Sequence, residues 1–196
     1  RDYKVTGVQT CAPPISDEFL SEVMKMPHKN LAVELLQRLI KDEVKSKFRT
    51  NVVKQRKFSD LLQTSLGKYA NRAIEAAQVI EELIAMAKQF QEDLARRESH
   101  DMSDEEEAFY DALAKNKSAQ EVIGEEVLVE MAREIAAKLR DNLTVDWAVR
   151  DSVRAKLRIM IRTLLRRYKY PPDQARDAVE MVLRQAEVVS EFEMAA

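Results

Sequence analysis

The sequence predicts an all-α fold, an elongated multi-helix bundle with one long heptad-patterned helix. Three observations carry this. The 196 residues include only 3 Gly and 5 Pro, while Ala, Leu, Glu, Lys, Arg, Gln and Met dominate, the side chains that lose least freedom in a helix. Apolar residues recur at steps of three and four through most of the chain. Helix breakers are confined to a few places, chiefly Pro27 and Pro171-Pro172.

The elements follow in order. Ser16-Asp17-Glu18 offers a cap and an acidic first turn to a short helix ending near Met26, ahead of Pro27. Asn30 can cap the next helix, whose Leu31, Leu35, Leu36, Leu39 and Ile40 share a face. A basic stretch from Glu43 to Lys57 (ending KSKFRTNVVKQRK) continues as helix with a bend near Thr50–Asn51. From Phe58 to about Arg97, Leu62, Leu66, Tyr69, Ala73, Ala76, Ile80, Leu83, Ala87, Phe90 and Leu94 keep a four-three spacing through Gly67. One continuous helix of that length would reach ~60 Å. Its seam could meet another subunit or pack within the chain; three alanines on it favour close intrachain packing.

Glu98–Asp104 is a polar linker, and Ser103-x-x-Glu106 forms a capping box for a helix carrying Phe109, Tyr110 and Leu113. Ala119–Arg140 follows, with Ile123, Val127, Met131, Ile135 and Leu139 at four-residue steps. Thr144 caps a helix over about Val145–Tyr168. Pro171-Pro172 opens the last one, at about 172–192.

Acidic and basic side chains nearly cancel, 34 against 32, so net charge points to no partner class. No apolar run approaches the roughly 18–20 residues of a membrane span, and no secretory signal is legible, which makes the cytoplasm the expected compartment. Residues 1–16 stand apart. Val5–Ile15, VTGVQTCAPPI, resembles the conceptual translation of a common sequencing adapter, with Pro13 where the usual frame gives Leu. Taken as a foreign leader, it removes Cys11 as a nucleophile or ligand and suggests a chain cut from a longer reading frame. The domain is then 17–192, a single helical unit that the acidic linker 98–104 could subdivide, with a tail at 193–196.

No catalytic, cofactor-binding or metal site is expected. His28 and His100 lack any metal-ligand spacing and read as solvated turn residues. Glu81-Glu82 reads as a solvated face, and Asp104–Glu107 as a solvated helix start favoured by the helix dipole. Glycine is too scarce for a phosphate-cradling loop.

One constellation remains. Arg150, Arg154, Arg158, Arg162 and Arg166 recur every four residues, with Lys156, Arg167 and Lys169 beside them. Val145–Lys169 holds 8 basic and 2 acidic residues, a local charge of +6. These arginines could pair with an acidic helix of the same domain, such as the one bearing Glu121, Glu125, Glu126, Glu130 and Glu134. They could equally meet an acidic partner protein or DNA phosphates, because the guanidinium fork suits carboxylate and phosphate alike.

Four blocks carry a resemblance: FLSEVMKMPHKNLAVELLQRLIKDEVKSKFRTN, NRAIEAAQVIEELI, EEEAFYDALAKN and LTVDWAVRDSVRAKLRIMIRTLLRRYKYPPDQ. In this order, over about Asp17–Phe192, they resemble the C-terminal helical region of type I restriction enzyme R subunits, the motor and nuclease subunits of restriction–modification complexes. The resemblance implies a parent that cleaves and translocates duplex DNA with ATP and magnesium, its helicase and nuclease domains lying N-terminal to this region. It also implies docking onto the methyltransferase and specificity subunits. No catalytic residue of the family has a matching position in this chain.

Overall fold

The computed structural model describes residues 15–115, 117–142 and 151–195, with side chains omitted at 117, 142 and 193–195. The leader with Cys11, the Thr144 cap and Arg150 lie outside the described residues. The helices, in chain order, are α1 (Asp17–Lys25), α2 (Lys29–Lys47), α3 (Val52–Ala70), α4 (Ala76–Ser99), α5 (Asp104–Ala114), α6 (Lys117–Ile123), α7 (Glu125–Asn142), α8 (Asp151–Arg167) and α9 (Ala175–Ala195), with no strand among the described residues. The all-α expectation holds; the long heptad helix does not.

The heptad seam is split between α3 and α4, which fold back on each other. Phe58 meets Phe90 at 5.7 Å and Lys57 meets Asp93 at 3.4 Å, while further along Lys68 meets Glu82 at 3.2 Å, so the two helices run antiparallel. The turn is set by Arg72 at φ +55. Ala73 N–H donates to the Lys68 carbonyl and Arg72 N–H to that of Tyr69, the six-to-one and five-to-two pattern that closes a helix C-terminus. Spacing alone could not reveal the break, because a tight hairpin resumes the same apolar phase on the return helix.

The same device ends α4 at Asp101 (φ +48) and α8 at Lys169 (φ +56). At all three turns the residue usually given to glycine is a polar L-residue, which costs about 1–2 kcal/mol each.

Further boundaries differ from expectation. The bend near Thr50–Asn51 is a full break in which the Asn51 side chain accepts from Lys54 N–H and starts α3. Asn30 lies inside α2 and accepts from the Tyr69 hydroxyl, while His28 takes the cap position. The continuous helix over Ala119–Arg140 is interrupted at Gly124, whose φ of +87 separates α6 from α7. The last helix begins at Ala175, after Pro171 and Pro172 rather than on them. The Ser16 cap and the Ser103–Glu106 capping box are present.

Two apolar cores result. The first gathers α1–α4 around Phe48, Phe58 and Phe90, whose rings stack or meet edge-on at 5.0–5.7 Å. Ile15 is buried in it and accepts from the Gln91 side chain, so packing begins ahead of Asp17. The second gathers α5–α9 around Phe109, Leu113, Met131, Ile135, Ile161 and Leu183. Polar groups join the two.

Candidate functional site

The joint is built by the start of α3 against α5 and α9. Lys54 is 2% exposed, and its ammonium contacts Glu107 and, at 3.4 Å, Asp111. Glu107 and Asp111 are one turn apart on α5 and so share a face. Asn51 donates to Asp111 at 2.7 Å while capping α3, tying the break after α2 to the second core. From α9, Gln185 accepts from Val52 N–H at 3.0 Å and donates to the Thr50 carbonyl. Arg96 closes the ring from α4, 3.4 Å from Asp93 and 3.7 Å from Asp111, its guanidinium over the Tyr110 ring.

Burial pushes the Glu107 and Asp111 carboxyls above their ordinary values, and this outweighs the nearby Lys54 charge that pulls both down. The Tyr110 hydroxyl is pushed up to about 12, first by burial and then by the Glu125 carboxylate. Two carboxylates, one ammonium and a side-chain amide that satisfy each other make a structural weld, since leaving any of them unpaired in the interior is costly.

This corrects the sequence reading of Asp104–Glu107 as wholly solvated. Its last member is 2% exposed and turned inward. The one signal available was the four-residue step from Glu107 to Asp111, which sets two carboxylates on one helix face. Glu82 is likewise engaged: it accepts from Ser65 and pairs with Lys68, and the Ser65 hydrogen bond is the first cause of its lowered pKa. His28 is exposed, whereas His100 is partly buried 3.4 Å from Glu125. Among the described residues no group of three or more His, Cys, Asp or Glu could hold a metal ion.

The arginine row divides. Arg154 reaches Glu187 of α9 at 2.7 Å, and Arg158 grips Glu180 through two bonds of 3.0 and 3.2 Å. Arg167 pairs with Glu134 of α7. Most inward pairing is thus with α9 rather than with the acidic α6–α7 stretch. Arg162, Arg166 and Lys169 are exposed, and no partner is found for them among the described residues. Lys156 joins this outward set, and Ile159, one turn before Arg162, is 63% exposed between them.

Fold and site together define a helical module whose inner charges are structural and whose outer charges lie on one helix face. The chain belongs to the family described as type I restriction enzyme HindI endonuclease subunit-like, C-terminal, whose model matches residues 13–191. It is 40% identical over 177 residues to the type I restriction enzyme HindI endonuclease subunit of Haemophilus influenzae, covering 90% of this chain and 17% of that protein. It is 28% identical over 158 residues to a putative type I restriction enzyme MjaIXP endonuclease subunit of Methanocaldococcus jannaschii, covering 77% of this chain and 14% of the relative. The chain thus spans about a sixth of the length of these relatives. No solved structure is significantly similar to it. No helix among the described residues is long and apolar enough to cross a membrane.

Proposed function

We propose that this chain is the assembly end of a type I R subunit, seating the motor and nuclease parts of that subunit on the methyltransferase core through the outer face of α8. The carrying observation is the division of its basic side chains. Arg154, Arg158 and Arg167 are engaged inward, whereas Lys156, Arg162, Arg166 and Lys169 point outward around an exposed Ile159. An isoleucine gains about 1.5–3 kcal/mol from full burial, which a protein surface can supply and a phosphate backbone cannot. The matching patch on the methyltransferase or specificity subunits is acidic with an apolar centre. The chemistry of the parent, with its ATP, magnesium and duplex DNA, belongs to its other domains, and the assembled complex works in the cytoplasm.

Titration of the chain with the assembled methyltransferase–specificity core tests this. Saturable binding that Ile159→Asp weakens supports the reading; absence of binding refutes it. The same unpaired arginines favour a second reading, direct contact with duplex DNA. Binding to DNA that collapses between about 50 and 200 mM salt would mark a phosphate contact by counterion release.

A further inference from the structure

A cleft of about 620 Å³ opens over the joint between the two cores, walled by α3 and α4 on one side and by α5, α6 and α9 on the other. Its size falls within the roughly 300–1,000 Å³ of small-molecule sites, which favour such junctions. Six cations line it: Lys54, Arg56, Lys57 and Arg96 from the first wall, Lys115 and Arg184 from the second. Three carboxylates face them, Asp60, Asp93 and Asp111, and with the Glu107 carboxylate that pairs with Lys54 they leave a surplus of two positive charges. Glu107 lies behind the floor, held by Lys54.

The carboxylates are already engaged. Asp111 is taken by Lys54, Asn51 and Arg96, Asp93 by Lys57 and Arg96, and Asp60 by Arg56 across a long 3.7 Å pair. Lys115 and Arg184 are exposed on the far wall, with no ion pair among the described residues. Cations from the two walls therefore line one concave space. That arrangement is unfavourable alone and favourable around a shared counter-anion.

We propose that this cleft binds a phosphate-bearing anion, which bridges Arg56 and Lys57 of α3 to Lys115 and Arg184 of the opposite wall. A single carboxylate would neutralise only one of the two surplus charges. A diphosphate or a run of phosphodiesters offers several charges and enough oxygens for two arginine forks and two ammonium groups. The Gln120 side chain at the rim adds an amide to the same space. Because the anion spans elements of both cores, its binding also strengthens the joint below.

The test is calorimetric titration of the full chain with pyrophosphate, a nucleoside triphosphate and a short single-stranded oligonucleotide. It uses wild type, the cleft variant Lys115→Gln/Arg184→Gln and a control variant, Lys41→Gln/Lys88→Gln, whose exposed side chains lie away from the cleft and from α8. At least one of the three is expected to saturate at ~0.1 M salt. The cleft variant is expected to weaken it about tenfold or more, and the control variant to leave it unchanged. Pyrophosphate binding assigns the site to free polyphosphates, and binding of the oligonucleotide alone assigns it to a nucleic-acid backbone. Saturation by none of the three, or a cleft variant that binds like wild type, overturns the proposal; so does equal loss in the control variant. The substituted side chains are exposed and outside both cores, and a circular dichroism melt verifies that the variants stay folded. The α8 reading stands or falls separately, on the methyltransferase core.

Discussion

Replacing Lys54 by Met removes the buried cation that lies between Glu107 and Asp111. Breaking a buried ion pair by deleting one partner typically costs about 3–5 kcal/mol, because the remaining charge keeps its desolvation penalty. Here Asp111 retains Asn51 and the more distant Arg96, and Glu107 retains Arg97 at 3.9 Å. The cost therefore falls near the lower end, about 3 kcal/mol. For a chain of this size that lowers the melting temperature by about 6–12 °C. Urea unfolding followed by circular dichroism measures it directly. The triple variant Lys54→Met/Glu107→Met/Asp111→Asn removes every charge of the weld and leaves an acceptor for the Asn51 amide. It is expected to recover most of the loss, since an apolar replacement of a buried ion pair is commonly neutral or stabilising. A Lys54→Met loss under about 1 kcal/mol, the range of surface pairs, would refute the weld. A triple variant no better than the single one would do the same.

Three more predictions follow from the same geometry. Arg72→Gly relieves a left-handed φ at an exposed turn and is expected to stabilise the chain by about 0.5–1 kcal/mol, read as a higher urea midpoint; a lower midpoint would deny that strain. Phe58→Ala removes a side chain buried between two rings and is expected to cost about 3–5 kcal/mol, measured the same way. The raised Glu107 carboxyl makes the folded state hold more protons than the unfolded one above its ordinary value of 4.5. Stability contributed by this group therefore falls as pH rises from there through the folded pKa, then stays level. Glu107→Gln should make stability decline less with pH over that window; an unchanged slope would contradict the shift.

Much of the fold was legible because its stops are chemical. Pro27 ends α1, Ser103 and Glu106 open α5 as a reciprocal cap, and Pro171-Pro172 separates α8 from α9. What escaped was conformational. The turn at Arg72 uses a residue with no turn propensity, and the alanines flanking it preserve the heptad phase, so the hairpin looked like one rod. Gly124 sat inside an unbroken four-residue repeat and looked tolerable there. The arginine row was visible as a pattern, yet which arginines turn inward depends on where Glu180 and Glu187 lie on α9, a matter of tertiary placement. The charged joint was hidden for the same reason: Lys54 and Glu107 are 53 residues apart, and the four-residue step from Glu107 to Asp111 does not by itself say which cation it meets.

On the proposed reading, α8 carries its structural charges inside and its docking charges outside. Affinity for the methyltransferase–specificity core tests it most directly when measured beside stability for Arg162→Glu/Arg166→Glu and Arg154→Gln/Arg158→Gln. The first variant is expected to lose at least about tenfold in affinity while melting like wild type, and the second to melt earlier. Undiminished affinity in the first variant, or a stability loss equal to that of the second, would contradict it.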